Sequence, residues 1–188
     1  ENLRTIQFES FKNKRWFAPI LYQCAQLTKL DMNVSTREVY DFISALESME
    51  ALVDLRFVGS LVDIPDELYD NHFPCLTSLE FGEMSVASHR LPVFANFLEQ
   101  HPGLTDLKVS FGEGMNMEQS WKVLWKCPAL INLHRNDVDE QADPTFPDHL
   151  PSTLRRFKWT YGEAFSDHKA MKVALPEGHM LSHFQYED

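Results

Sequence analysis

A short phrase with apolar residues at its first, fourth and sixth positions recurs along the whole chain, and no other feature restricts the fold so tightly. It reads Leu3/Ile6/Phe8, then Leu27/Leu30/Met32, Leu52/Leu55/Phe57, Leu76/Leu79/Phe81, Leu104/Leu107/Val109, Leu130/Leu133, Leu154/Phe157/Trp159 and Leu181/Phe184/Tyr186. Successive first residues lie 24, 25, 24, 28, 26, 24 and 27 apart. One copy would carry little weight, but eight in register mark a repeating unit that buries its apolar face only by stacking on its neighbours. Positions four and six are two residues apart, so on a strand both point to the same side, here into the core. Positions three, five and seven face the other way. The stack therefore predicts a row of short parallel strands forming a wall roughly 35 Å across.

The chain must return between strands, and several returns carry apolar residues at helical spacing. Trp16, Phe17, Ile20 and Leu21 form one set, and Val39, Phe42, Ile43 and Leu46 a second. Phe94, Phe97 and Leu98 form a third, and Met117, Trp121, Leu124 and Trp125 a fourth. Each predicts an amphipathic helix laid on the strands. Pro144, Pro147 and Pro151 forbid a continuous helix in the return after Asp137, and Val62 to Asn71 predicts a short helical turn at most.

The expected fold class is α/β, one domain over residues 1–188, because 188 residues that are 44% hydrophobic suit a single sizeable core. The longest apolar runs, such as Trp16 to Leu21, fall well short of the ~20 residues that cross a bilayer, so no membrane partner is expected. Seventeen basic against 28 acidic residues give a net charge of −11, which disfavours nucleic acid. Cys24, Cys75 and Cys127 are an odd, scattered set rather than a disulfide framework, which points to the cytosol or nucleus.

The spacing and the L-x-x-L-x-L core resemble the leucine-rich repeat, whose period is 20 to 29 residues. That resemblance implies a curved solenoid, with about eight parallel strands on the concave face and helices or irregular turns on the convex one. The residues before each strand narrow it further: Lys126-Cys127-Pro128-Ala129-Leu130, Gln23-Cys24-Ala25-Gln26-Leu27, His101-Pro102-Gly103-Leu104 and Phe73-Pro74-Cys75-Leu76. These resemble the C-P-x-L-x-x-L-x-L units of F-box proteins, the substrate-recognition subunits of cullin-RING ubiquitin ligases. The resemblance implies a protein partner on the concave face and a Skp/cullin-type adaptor held through a segment outside this chain. The stretch Leu61-Val62-Asp63-Ile64-Pro65-Asp66-Glu67-Leu68 is also similar to the L-x-x-I-P-x-x-L phrase of plant-type repeats and of immune-receptor sensor domains, the alternative reading. Motifs begin two residues from Glu1 and end two residues from Asp188, so the chain is expected to be a portion of a larger solenoid.

In a solenoid the inner wall is the default binding face. Position three supplies Thr5, Lys29, Asp54, Ser78, Asp106, Asn132, Arg156 and His183, and position five supplies Gln7, Asp31, Arg56, Glu80, Lys108, His134, Lys158 and Gln185. Along position five, Asp31, Arg56, Glu80 and Lys108 alternate in sign across neighbouring strands, about 5 Å apart, and such a ladder can satisfy itself. Around Asn132, His134, Arg156 and Lys158 donors are not matched by acids in the same columns. The candidate protein-binding residues are therefore Arg56, Glu80, Asp106, Lys108, His134, Arg156 and Lys158, facing an acidic or polar peptide.

Other constellations fail on spacing. His179 and His183 have the i, i+4 spacing of zinc-binding helices, but the strand register of Leu181, Phe184 and Tyr186 separates them by about 13 Å. No metal or cofactor is expected. His101 occupies the slot that Cys24 and Cys127 fill in other repeats, so it reads as a hydrogen-bonded, partly buried residue, and the two cysteines read as core. Gly112-Glu113-Gly114 lacks the context of a phosphate loop, and Trp121 with Trp125 reads as a helix stripe. No catalytic set appears, and the chain is not expected to be an enzyme.

Overall fold

A computed structural model describes residues 3–8, 18–33, 43–58, 64, 66–112, 114–137, 150–161 and 183–187. Eight strands, β1 (Thr5–Phe8), β2 (Lys29–Asn33), β3 (Asp54–Val58), β4 (Ser78–Val86), β5 (Asp106–Phe111), β6 (Asn132–Asp137), β7 (Arg156–Tyr161) and β8 (His183–Glu187), form one all-parallel sheet in chain order. Each strand begins at position three of its motif. The architecture is α/β, with short helices between some of the strands.

The register aligns like positions with like. Ile6, Leu30, Leu55, Leu79, Leu107, Leu133, Phe157 and Phe184 are successive Cα partners, all from position four. From Ile6 to Phe157 every one of them is buried, with Leu55, Leu79 and Leu107 at 0%, 1% and 3% exposure. Position six is equally shut away at Met32, Phe57, Phe81, Val109 and Trp159. Burying each such side chain stabilises the fold by roughly 1.5–3 kcal/mol relative to leaving it in water.

Two backbone devices repeat with the motif. The N–H of the first-position leucine bonds to the carbonyl three residues earlier at Leu27, Leu52, Leu76, Leu104, Leu130 and Leu154, making a tight turn into each strand. At position two, one carbonyl receives two N–H groups from the next repeat. Arg4 takes Thr28 and Lys29, Thr28 takes Val53 and Asp54, and Val53 takes Thr77 and Ser78. Thr77 takes Thr105 and Asp106, Thr105 takes Ile131 and Asn132, and Ile131 takes Arg155 and Arg156. The recurrence fixes the strand starts, and the hydroxyls of Thr28, Thr77 and Thr105 at position two add a third donor to the Arg4, Val53 and Thr77 carbonyls.

Helices cover the apolar side of the sheet. The Leu91–Gln100 helix carries Pro92 in its first turn, where the missing N–H costs nothing, and buries Phe94, Phe97 and Leu98. Phe94 meets Phe81 of β4 edge-on at 6.4 Å. The Met117–Leu124 helix is capped by Asn116, whose side chain accepts the Gln119 N–H at 2.9 Å, and it sets Trp121 against Phe157 and Trp159 of β7. Single turns at Ala18–Leu21 and Asp66–Tyr69 and a helical stretch at 43–46 contribute Leu21, Leu68, Ile43 and Leu46 to the same core. The expected residues Trp16, Phe17, Val39 and Phe42, and the proline-rich return over 138–149, lie outside the described residues.

Four expectations need correction. Leu3 is 53% exposed, because β1 opens the strand order and has a neighbour on one side only. Ile20 is 38% exposed, since a one-turn helix presents one side to the core and Leu21 takes it. Trp125 is 37% exposed and not part of a buried stripe: the helix ends at Leu124, and the Trp125 N–H, shared between Trp121 and Val123 carbonyls, tightens the turn and swings the residue off the apolar face. Finally β4 is nine residues long and slips register against β5 between Glu80 and Ser85, so that Ser85 and Val86 pair with Ser110 and Phe111. Gly82 sits in this bulge, where a Cβ would lie 3.2 Å from Val58 methyls and 3.3 Å from the Phe57 carbonyl.

Candidate functional site: the polar face of the strands

Because positions four and six turn to the core, positions three and five come together on the opposite face. The register puts Asp54, Ser78, Asp106, Asn132 and Arg156 in one row, and Arg56, Glu80, Lys108, His134 and Lys158 in the next. On β4 to β7 these rows enclose an open hollow of about 340 Å³. Six of the seven residues expected from sequence line it: Glu80, Asp106, Lys108, His134, Arg156 and Lys158. Ser78 and Asn132 complete its polar rim, over Leu79, Leu107, Leu133 and Phe157. Arg56 stands outside it, one strand before β4.

The alternating ladder pairs as its spacing suggests. Arg56 Nη1 lies 3.1 Å from Asp31 Oδ2 and its Nε 3.0 Å from Glu80 Oε2, while Lys108 Nζ lies 2.8 Å from Glu80 Oε1. In the adjoining row Lys29 Nζ reaches Asp54 Oδ2 at 2.5 Å. Asp106 accepts hydrogen bonds from Asn132 and from the Thr105 hydroxyl. Burial alone would raise the Glu80 carboxyl, but the hydrogen bond and charge of Lys108, joined by Arg56, outweigh it and hold Glu80 below the usual carboxylate range. Pairs that keep this much contact with solvent stabilise the fold by only about 1 kcal/mol each, so the ladder sets side-chain positions more than it sets stability.

Arg156 is exposed, and Lys158 and His134 are half-buried. This end of the face differs in charge from the ladder. Its position-three neighbour on β6, Asn132, is already turned to Asp106.

Sequence reasoning passed over one residue of consequence. Counting six from Leu130 lands on Arg135, which the register sets between Val109 and Trp159 in the core row, and it is 0% exposed. Its guanidinium lies 4.3 Å from the Trp121 ring, 4.7 Å from Phe111 and 5.6 Å from Trp159, so three aromatic faces receive the charge. The signal was present as the one position-six residue that is charged.

His101 is buried at 2% exposure in the turn slot before β5. Its Nε2 accepts the Phe73 N–H at 2.9 Å and its Nδ1 donates to the Phe97 carbonyl at 2.6 Å. Burial pushes its pKa down, against the Phe97 bond. Cys127 fills the same slot before β6, and burial pushes its thiol up to about 12. Cys24 is half-buried and Cys75 exposed. Among the described residues no cluster of His, Cys, Asp and Glu has the makings of a metal site, and no helix is long and apolar enough to cross a membrane. The side chains of His179 and His183 lie outside what is described.

No protein-family model matches the chain, and no curated protein matches it.

Proposed function

We propose that the chain is a leucine-rich-repeat solenoid that binds a protein partner on its inner strand face, as the substrate-recognition part of an F-box-type ubiquitin ligase. The observation that carries this reading is the hollow on β4 to β7, where side chains from four successive repeats converge on one polar surface. Repeats that stack in line offer a broad, open wall, which suits a polypeptide better than a small molecule. The residues preceding the strands, with Cys127-Pro128 and the His101-Pro102 variant, supply the F-box resemblance. Three free cysteines suit a cytosolic or nuclear location.

A second reading, the sensing domain of an immune or signalling receptor, draws on the L-x-x-I-P-x-x-L phrase, of which Ile64 and Leu68 are core residues. Affinity purification of the full-length protein with mass spectrometry separates the two. Recovery of a cullin scaffold with its adaptor supports the ligase reading, and recovery of a receptor assembly supports the second. Arg156→Glu combined with Lys158→Glu is expected to abolish capture of the recognised partner; unchanged capture would overturn the assignment of this face.

A further inference from the structure

Arg156 on β7 stands apart from the cations that β2 to β5 place on the polar face. On β2 to β5 each meets a carboxylate from a neighbouring strand: Lys29 has Asp54, Arg56 has Asp31 and Glu80, and Lys108 has Glu80. A ligand carboxylate arriving there would displace an existing pair, with little net gain. On β7 Arg156 is exposed, and among the described residues no carboxylate pairs with it. Lys158 follows two residues later on the same strand and pairs in register with His134. The acids of the hollow, Glu80 and Asp106, are already engaged by Arg56 and Lys108 and by Asn132 and Thr105. A basic end on a molecule of net charge −11 runs against the overall field and marks a place where an anion is favoured.

We propose that the β6–β7 end of the hollow, centred on Arg156 with Lys158 and His134, takes a carboxylate side chain from an extended acidic segment of the partner protein. This rests on the protein-binding reading above and names the chemistry that reading leaves open. The planar guanidinium matches a carboxylate with two parallel hydrogen bonds. Phosphate would match the fork equally well, but its near-double charge would be repelled more strongly by Glu80 and Asp106 in the same hollow. Four strands span roughly 14 Å, the reach of about four extended residues, so flanking residues of the segment cross toward β4.

The test is a titration of the ¹⁵N-labelled chain followed by amide spectra, with hexaglutamate, hexaglutamine and inorganic phosphate as probes. Hexaglutamate is expected to move the amides of β6 and β7, and to do so less at about 300 mM salt than at about 50 mM, because charge screening tightens over that range. Hexaglutamine is expected to move none. Arg156→Gln with Lys158→Gln should weaken hexaglutamate by about tenfold or more and leave the remaining spectrum in place, which shows that the fold is kept. Unmoved amides, shifts confined to β2 and β3, an equal response to hexaglutamine, or a stronger response to phosphate would each overturn the proposal. If a captured partner cross-links to β6 and β7 while hexaglutamate leaves them unmoved, the protein-binding reading stands and the acidic-segment inference alone falls.

Discussion

His101 uses both ring nitrogens, one as acceptor and one as donor, and only the neutral ring can do this. A second proton on Nε2 would face the Phe73 N–H head-on. Because burial holds the folded pKa below its ordinary 6.5, the unfolded chain takes up this proton first as pH falls. The His101 contribution is therefore complete above the ordinary value and is lost as pH drops from there toward the folded value. Urea unfolding between about pH 7.5 and about pH 5.5, roughly one unit either side of the ordinary histidine pKa, should show this decline. His101→Gln should be less stable at the upper end but flatter across the window. Parallel slopes for the two proteins would refute the assignment. Arg135 makes the opposite kind of demand, since it is always charged and fully buried. Arg135→Ala is expected to cost about 3 kcal/mol or more in urea unfolding, by opening a cavity and removing the contacts to Trp121, Phe111 and Trp159. Arg135→Lys should fall between, because an ammonium does not spread over three rings as a guanidinium does.

At the level of the element, turn backbones decide what substitution does. Gly114 has φ +69 just before the Asn116 cap, where a Cβ is strained although the surrounding space is open. Gly103, in the turn into β5, has room for a Cβ, whose nearest neighbour would be the Leu76 carbonyl oxygen at 3.8 Å, an ordinary contact. Gly114→Ala should lower stability by about 1 kcal/mol, and Gly103→Ala should raise it by roughly 0.5 kcal/mol through the unfolded chain. Thermal unfolding of the pair checks the opposite signs. The helices were legible from their apolar spacing, as at Phe94, Phe97 and Leu98, yet Trp125 shows how such spacing overruns a helix end. The β4 bulge was not legible. Glu83-Met84-Ser85-Val86 does alternate, and Met84 and Val86 are buried, but the run is out of phase with Leu79 and Phe81, and only pairing with β5 reveals where the register resumes.

Over the complete sheet, every interior strand is held from two sides, while β1 and β8 each have one neighbour. Local opening should follow that order. Amide hydrogen exchange is expected to be slowest in β3 to β6 and fastest in β1, where Leu3 is exposed. Equal protection in β1 and β4 would contradict an arrangement in which each repeat leans only on its neighbours. The net charge of −11 is a property at this scale too, and Arg156 and Lys158 on β7 run against it.

The order of residues along the chain was enough to set the strand starts and the inward side chains other than Arg135. These follow from a two-residue side-chain period and a near-constant repeat, both of which are local. It also placed Glu80, Asp106, Lys108, His134, Arg156 and Lys158 in adjacent rows, because a parallel stack turns repeat position into spatial position. The sequence allowed the ladder to pair, and packing decided which of the allowed pairings are made. Whether Arg56 closes on Asp31 and Glu80, whether Asn132 turns to Asp106, and whether Arg135 finds three rings around it depend on distances between segments about one repeat apart. Such distances are set by how repeats pack and slip against one another, which no window along the chain contains.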